Sequence, residues 1–344
     1  MLLRCQSFDS STTMSDYDSR LLTPSIAGGI QQNGAFGANF LRCYSYVTNF
    51  LQGFKPIPAG VNGFSGFRFR SNGVDYMFFG VVDETAAIHL GFKISPLGEI
   101  TVARMNGRGN PNDVAATLFT SAVGVIPTAG FCYLELGWVI GTGTAGSVVV
   151  RLNNQQIFAA TGITTQGTAS VSGTTAAYYL YGHGDVQDIY IADGTGPAPS
   201  NAFFGDVRVY EASPNGAGAT TTFTPTGAAT NWQVAAQVSP TPATVYNSSS
   251  TVGAADLYTI GAIPTGLGTI FGVQVNGTLS KTDAGARTAT LSIKSGAVTA
   301  AGASHSLQIS PTTYMEVFNV DPATSAAFTA AGVNALQFGP TILT

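Results

Sequence analysis

Apolar residues alternate with polar or small residues along much of this chain, and this period of two restricts the fold more than any other feature. Successive side chains of an extended strand point to opposite faces, so segments 131–140 and 147–152 each place their apolar residues on one face. The Gly/Thr run at 141–146 lies between them and predicts a hairpin turn. The pattern therefore indicates antiparallel β-structure.

Further segments of the first half predict strands of the same kind. Residues 67–70 alternate Phe with Arg, so one face of that strand is apolar and the other carries two guanidinium groups. Residues 76–82 are apolar at nearly every position, as in a strand buried between two sheets. Residues 88–94 and 99–104 flank a Ser-Pro-Leu-Gly turn and predict a hairpin, whereas residues 114–122 predict a short helical turn.

The composition changes after residue 211 toward Thr, Ala, Gly and Ser, and the apolar bursts become shorter. The segments that predict strands in this half are 256–260, 270–276, 288–295, 306–309, 315–320 and 336–338. Their spacing of roughly ten residues is typical of a β-sandwich. The sequence therefore predicts an all-β protein with one domain over residues 1–212 and a smaller one over residues 213–344.

The chain carries little charge. Of its 344 residues only 9% are Asp, Glu, Lys or Arg, against roughly 25% in an ordinary soluble domain. When two weakly charged surfaces meet, few charged side chains have to lose their hydration, so this composition favours close packing of subunits. The net charge of -4 argues against binding to nucleic acid or to an anionic membrane surface. No apolar run reaches the roughly 18 residues of a membrane span, so membrane insertion is not expected.

Cysteine usage indicates a reducing compartment. Cys5, Cys43 and Cys132 are an odd number without C-x-x-C spacing, which favours free thiols in a protein folded in a reducing cytosol. A Cys5–Cys43 disulfide is the alternative. Residues 1–9 lack the apolar region of a signal peptide, so secretion by that route is not expected.

No arrangement of residues predicts a catalytic site or a bound cofactor. The run 141–146 spells G-x-G-x-x-G, but a strand follows it where a dinucleotide-binding loop needs a helix. A Ser-His-Asp site would have to use His89, His183 or His305, and the sequence has no G-x-S-x-G motif. These histidines are expected at the surface or in loops. A retaining glycosidase needs two carboxylates close together, and the best-formed strand offers only Glu135.

Three aspartates along one predicted hairpin are candidates for a metal site. Asp185, Asp188 and Asp193 lie close together in the sequence, and their carboxylate oxygens are ligands that calcium prefers. A second interpretation is that these short acidic side chains stabilise turns through their own hydrogen bonds.

A tyrosine-rich segment is a candidate for ligand binding. Tyr178, Tyr179 and Tyr181, together with Tyr44 and Tyr46, could stack on sugar rings in a binding site. Equally, these tyrosines could pack as half-buried parts of β-sheets, a common environment for this residue.

The region 185–216 contains two predicted strands, 188–192 and 205–211, with a Gly/Pro loop between them and a Pro-Asn-Gly turn after them. This block resembles one that recurs in virion proteins of tailed bacteriophages, where it closes a concanavalin A-like, or laminin G-like, jelly roll. The landmarks that continue the resemblance, in the same order, are Phe223-Thr224-Pro225, Asn231-Trp232, Asp256-Leu257-Tyr258, Val273-Gln274-Val275, Ser280 to Arg287 and Asn334 to Gly339. The resemblance extends over about residues 130 to 344.

The resemblance implies a fold, a function and partners. The fold would be a concanavalin A-like jelly roll over residues 1–212 and a β-sandwich over residues 213–344, and such jelly rolls often hold calcium at a rim. The protein would be made in the host bacterial cytoplasm and reside in the virion, as a non-enzymatic structural part of the tail, fibre or baseplate. It would bind copies of itself, with a trimer expected, other virion proteins and a host-surface glycan. Three further roles are a capsid-surface decoration (cement) protein, a carbohydrate-binding receptor-recognition module and a polysaccharide depolymerase.

Overall fold

The protein is built almost entirely from β-strands. A computed structural model describes residues 1–6, 28–31, 40–43, 52–53, 60–71, 73, 76–107, 110–237, 244–264 and 266–344. Strands make up 49% of the chain and helices 4%, which confirms the all-β prediction. The chain divides into two compact units, the first containing residues 1–196 and 200–209 and the second containing residues 197–199 and 210–344.

The first unit contains two antiparallel sheets. The eight-stranded sheet consists of β1 (Leu2–Gln6), β2 (Gly28–Gln31), β3 (Phe40–Cys43), β5 (Asn62–Ser71), β10 (Cys132–Val139), β11 (Gly146–Leu152), β12 (Gln155–Ile163) and β14 (Gly184–Ala192). Its strand order is β12-β11-β10-β5-β14-β3-β2, and β1 pairs with β14. The six-stranded sheet consists of β4 (Gln52–Gly53), β6 (Met77–Val82), β7 (Ile88–Ile94), β8 (Ile100–Met105), β9 (Val114–Thr120) and β13 (Ala177–Gly182), in the order β4-β13-β6-β7-β8-β9.

Aromatic side chains join these two sheets into a sandwich. Phe67 of β5 stacks on Phe79 of β6 with 5.6 Å between ring centroids. Trp138 of β10 meets the ring of Tyr178 of β13 edge-on at 5.5 Å. Gly63 lies opposite Trp138, and a Cβ there would approach the indole to 2.4 Å, so glycine leaves room for the ring. Burying each large side chain contributes about 1.5–3 kcal/mol, so the layer between the two sheets is the core of this sandwich.

Most of the predicted strands of this unit are confirmed, whereas the predicted helical turn at 114–122 is wrong. Two of the three predicted hairpins form, as β7–β8 and β10–β11, and residues 141–145 are the turn of the second. Residues 114–122 do not form a helical turn, because 114–120 pair with β8 as strand β9. Pairing with an open sheet edge outweighs the weak helical preference of this segment, which contains three alanines and one leucine.

The second unit is a smaller β-sandwich. Its largest sheet consists of β15 (Pro214–Thr221), β18 (Asp256–Ile260), β20 (Thr288–Ser295), β21 (Val298–Ala301), β22 (His305–Ser306) and β24 (Gln337–Ile342). Two-stranded sheets are formed by β16 (Thr224–Thr226) with β17 (Tyr246–Ser248) and by β19 (Val273–Leu279) with β23 (Thr312–Phe318). The two short helices are α1 (Asn231–Ala235) and α2 (Ala330–Asn334).

The core of the second unit lies between β19 and β20, where Val275 packs with Leu291 and Ile293. The predicted strands at 256–260 and 288–295 are confirmed. The predictions at 270–276, 315–320 and 336–338 overlap β19, β23 and β24 with shifted ends, and 306–309 supplies one residue of β22. The strands β15, β16, β17 and β21 were not expected, because they contain few apolar residues.

Cys132 is a free thiol inside the first unit. Cys5 is partly exposed and Cys132 is buried, and burial raises the pKa of Cys132 to about 12. Neither described helix is long and apolar enough to cross a membrane.

Candidate functional site

The eight-stranded sheet carries a polar network on the face opposite its aromatic core. Arg68 points away from the face that carries Phe67, because side chains alternate along β5. Glu135 of β10 lies opposite Gly66, two residues from Arg68, and therefore shares this outer face. Tyr190 of β14 also lies opposite Gly66. A Cβ at position 66 would lie 2.2 Å from Cε1 of Tyr190, so glycine provides the space for this ring.

Buried ion pairs form the centre of the network. The Arg68 guanidinium contacts Asp188 Oδ2 through Nε at 3.2 Å and also pairs with Asp206 through Nη2. Glu135 is fully buried, and its Oε2 lies 3.0 Å from Arg151 Nη1. Tyr190 donates its hydroxyl hydrogen to Glu135 Oε1 at 2.7 Å. These charges are compensated by one another, as burial in a β-sheet protein requires.

Residues 203–209 cover this network, and we refer to them as the cover segment. Their backbone N–H groups donate to side chains of the sheet and of the turn after β11. The donors and acceptors are Gly205 N–H to Glu135 Oε1 at 2.7 Å, Asp206 N–H to Asn154 Oδ1 at 2.9 Å and Val209 N–H to Asp188 Oδ1 at 3.0 Å. The predicted strand at 205–211 is therefore wrong: side-chain acceptors take the place of a β-ladder, and 188–192 forms no hairpin with this segment.

Aromatic packing fixes the cover segment as well. The ring of Phe204 stacks on Tyr190 with 4.3 Å between centroids, and Phe203 meets Phe64 edge-on at 4.8 Å. A Cβ on Gly137 would approach Phe203 to 2.6 Å. The missing side chain at Gly137 thus forms the recess in the sheet that accepts the Phe203 ring.

Burial controls the acid–base properties of the network. It raises the pKa of Asp188 above that of an exposed aspartate, although the hydrogen bonds from Val209 N–H and Arg68 act in the opposite direction. Burial, with the charge of Glu135 beside the hydroxyl, raises the pKa of Tyr190 far above its usual range. The hydroxyl therefore stays protonated and serves as a hydrogen-bond donor at every physiological pH.

The network can hold a segment in place, but its geometry is unsuited to attack on a substrate. Oε1 of Glu135 accepts two hydrogen bonds and Oε2 faces Arg151, and the carboxylate has no solvent-exposed surface. Asp188 is likewise engaged by Val209 and Arg68. A general acid must reach the group that it protonates, and the cover segment occupies the space above these carboxylates.

The three aspartates predicted as a metal site pair with different groups. Asp185 forms an ion pair with Arg70, with Oδ2 2.6 Å from Nη2, and Asp188 belongs to the network above. Asp193 Oδ1 accepts from the Met1 amino group at 2.8 Å and from Thr195 N–H at 2.9 Å. In the part of the chain that the structure describes, no group of three or more His, Cys, Asp or Glu side chains is arranged to hold a metal ion.

Tyr178 of β13, which was predicted to bind a ligand, lies inside the protein. Tyr178 is 1% exposed and packs against Phe79 as well as Trp138, so its ring is closed to a ligand. The prediction of a ligand contact by Tyr178 is wrong, because β13 lies between β4 and β6 with this side chain in the inter-sheet layer. The side chains of Tyr179 and Tyr181, and Tyr44 and Tyr46 as a whole, lie outside the described residues.

The histidines are less exposed than expected. His89 is 0% exposed; its Nε2 lies 3.0 Å from Thr174 O, and its Nδ1 accepts from Gly167 N–H at 3.3 Å. Its predicted place on a solvent-facing strand surface is wrong, because the loop at 164–176 covers that face of β7. His183 is buried between β13 and β14, and Nε2 of His305 lies 2.6 Å from Glu316 Oε1.

Comparison with known proteins finds structural similarity at very low sequence identity. No protein-family model matches the chain, and no curated protein matches it. An endo-β-1,4-glucuronan lyase from the fungus Trichoderma reesei is 10% identical, with 56% of this chain and 98% of that chain covered and a TM-score of 0.38. A carbohydrate esterase from the Shiga toxin-encoding bacteriophage phi24B is 10% identical over 56% and 97%, with a TM-score of 0.35. A Caenorhabditis elegans galectin is 9% identical over 51% and 97%, with a TM-score of 0.28. Similarity at this level carries no argument about what this chain binds or catalyses.

Proposed function

We propose that this protein is a structural component of a tailed-bacteriophage virion, built into the tail, fibre or baseplate as a homo-oligomer of three copies. The observation that carries the structural role is the covered state of Glu135. This carboxylate, which the sequence singles out as the one acid of the best-formed strand, is fully buried, accepts hydrogen bonds from Tyr190 and Gly205 and forms an ion pair with Arg151. Its interactions fix the protein's own backbone, which is the role of a scaffold.

The assignment to a phage particle is supported by the sequence landmarks. The block at 185–216 and the landmarks from residue 223 to residue 339 follow the order of those in tailed-phage virion proteins. The low charge of the chain, 9% of residues, is suited to a protein that packs against other subunits.

Purified particles of the phage that encodes this chain provide the test. We expect mass spectrometry to detect the chain in those particles, and electron microscopy with an antibody against it to label the tail. Labelling of the head alone would instead support a capsid decoration protein. Absence from particles that remain infectious would refute the virion role.

Two functional assays separate a scaffold from a carbohydrate-binding module and from a depolymerase. A carbohydrate-binding module predicts that the isolated protein competes with phage adsorption and binds host polysaccharide, whereas a scaffold predicts neither. A depolymerase predicts release of sugar fragments that Glu135→Gln abolishes. We expect no release from wild-type protein, because this carboxylate is covered.

A further inference from the structure

We propose that two copies of this chain associate edge to edge through one side of the first unit, where β9 and β12 end the two sheets. This inference rests on the self-associating structural role proposed above and identifies the surface that performs it. We call the surface formed by β9 and β12 the side wall. The partner that fits it is a second copy of the same side wall.

The two edge strands form one continuous surface. β12 ends the eight-stranded sheet and β9 ends the six-stranded sheet. Phe119 of β9 stacks on Phe158 of β12 with 4.3 Å between ring centroids and 10° between ring planes. The edges of both sheets therefore lie side by side, and this aromatic pair closes the interior between them.

The outer backbone of β12 is available for pairing. Within the described part of the chain, residues 155–163 form ladder pairs with β11, and no other segment supplies them with a backbone partner. An edge strand of this kind presents a row of N–H and C=O groups that another strand can complete.

The side wall lacks most of the features that keep edge strands apart. Proteins protect open edges with charged residues, prolines, very short strands or bulges. β9 reads Val-Ala-Ala-Thr-Leu-Phe-Thr and β12 reads Gln-Gln-Ile-Phe-Ala-Ala-Thr-Gly-Ile, without a charged residue or a proline. Toward the opposite side of the sandwich, the terminal strands β2 and β4 are only four and two residues long.

Both strands contain bulges: β9 shifts register against β8 at Ala115 and at Leu118, whereas β12 keeps one regular stretch between its two bulges. β12 shifts register against β11 at Ile157 and at Gly162. Residues 158–161 pair in unbroken order with residues 150 to 147. The regular stretch is thus four residues long, and it includes Phe158, the ring that links the two sheet edges.

Neutrality makes this surface suitable for a second copy. If two β12 strands pair antiparallel about a two-fold axis, Phe158 lies opposite Thr161 and Ala159 lies opposite Ala160 of the other copy. A two-fold axis repeats every side chain on both sides of the contact, so charged residues there would bring like charges together. β12 carries none, and Ala159 and Thr161 are exposed and small enough to permit close approach of the strands.

The size of the side wall is sufficient for such a contact. The side wall is about 30 Å long, the length of a nine-residue strand. It is about 20 Å wide, because the two sheet edges lie about 10 Å apart and their side chains add to that width. The area is therefore roughly 600 Å² per copy. Specific interfaces bury about 800 Å² per partner, so this surface approaches that value. The contact gives an even copy number, and it would join two trimers if the three-fold association also forms.

The mass of the full chain in solution, measured over a concentration series, tests the proposal. We expect wild-type protein to be a hexamer, or a dimer where the three-fold association does not form in solution. Ala159→Lys should halve either number and weaken association by about tenfold or more. The matched control is Val252→Lys, which adds the same charge at a 64% exposed position of the second unit and should leave the mass unchanged. Far-UV circular dichroism establishes that both variants are folded.

Hydrogen exchange supplies a second measurement that needs no variant. Amides of residues 155–163 should become more protected as wild-type concentration rises. A wild-type monomer without this protection, or an unchanged mass in Ala159→Lys, would overturn the edge contact. If the protein forms an oligomer whose mass does not change in Ala159→Lys, the edge contact is contradicted but the virion role is not. If the protein is absent from particles, the virion role is contradicted whatever the mass in solution.

Discussion

Replacement of Asp188 with Asn should destabilise the first unit by removing one charge from the covered network. Asp188 Oδ1 accepts from Val209 N–H, and Oδ2 accepts from Arg68 Nε. The shape of the side chain is preserved in Asn, but only one oxygen remains. If that oxygen keeps the bond to Val209, the new amide NH2 faces Arg68, so two donors oppose each other where a donor met an acceptor.

The expected loss follows from the contacts that remain. A hydrogen bond to a charged group contributes about 1.5–3 kcal/mol, and removal of one partner from a buried ion pair costs about 3–5 kcal/mol when the other charge is left alone. Arg68 keeps Asp206 as a second partner, so its charge stays compensated. We therefore expect a loss of about 2–3 kcal/mol in the free energy of unfolding of the first unit.

Tryptophan fluorescence during urea unfolding measures this loss. The chain has two tryptophans, one in each unit, so Trp232→Phe leaves Trp138 as the reporter of the first unit. With a slope of about 1–3 kcal/mol per molar urea, a loss of about 2–3 kcal/mol should lower the midpoint by about 0.7–3 M.

Asp283→Asn is the matched control, because Asp283 forms an exposed pair with Arg287 and should leave the midpoint unchanged. Equal midpoints for the two variants would show that the network does not hold the cover segment.

Three further predictions use the same unfolding assay. Gly66→Ala should destabilise the first unit by about 1–3 kcal/mol, because the added Cβ would lie 2.2 Å from the Tyr190 ring. The control is Gly268→Ala, where a Cβ meets nothing within 4 Å and should have no effect. Equal effects of the two substitutions would contradict the packing argument. Asp83→Asn should cost about 1–2 kcal/mol, since Ser170 loses the acceptor that it contacts at 2.6 Å. Burial lowers the pKa of His89, so as the pH falls the unfolded chain takes up this proton before the folded chain does. At pH values below about 6.5 the free energy of unfolding of the wild type should therefore decrease, by up to about 1.4 kcal/mol per pH unit. His89→Gln should flatten this slope, and an unchanged slope would assign it to other groups.

The inter-sheet core was readable from the sequence because it depends on local alternation. The hairpins β7–β8 and β10–β11 form as predicted, and each depends on apolar residues at every second position followed by a turn. Residues 76–82, apolar on both faces, likewise become the fully buried β6. Patterns of this kind survive folding because a shift of one residue would expose the whole apolar face.

The covered network was not predicted, because its partners are distant in sequence. Arg68 meets Asp206 across 138 positions, and Tyr190 meets Glu135 across 55. One local signal was present: Arg68, Arg70 and Glu135 lie on strands of a chain with only 9% charged residues. Such residues on a central strand require buried partners, so they predict a polar network on the outer face of the eight-stranded sheet. Nothing local shows that the segment at 205–211 uses side chains as acceptors in place of a strand.

Burial of charge inside each unit also changes the meaning of the low overall charge. At least seven of the 32 charged residues, 14 Lys or Arg and 18 Asp or Glu, are buried: Arg68, Asp83, Glu135, Asp185, Asp188, Asp256 and Asp321. Charged side chains are seldom buried unless they are paired, and here they hold turns and the cover segment in place. The surface is consequently even less charged than the composition indicates. Few charged groups would therefore have to lose their hydration in the proposed contact between two copies.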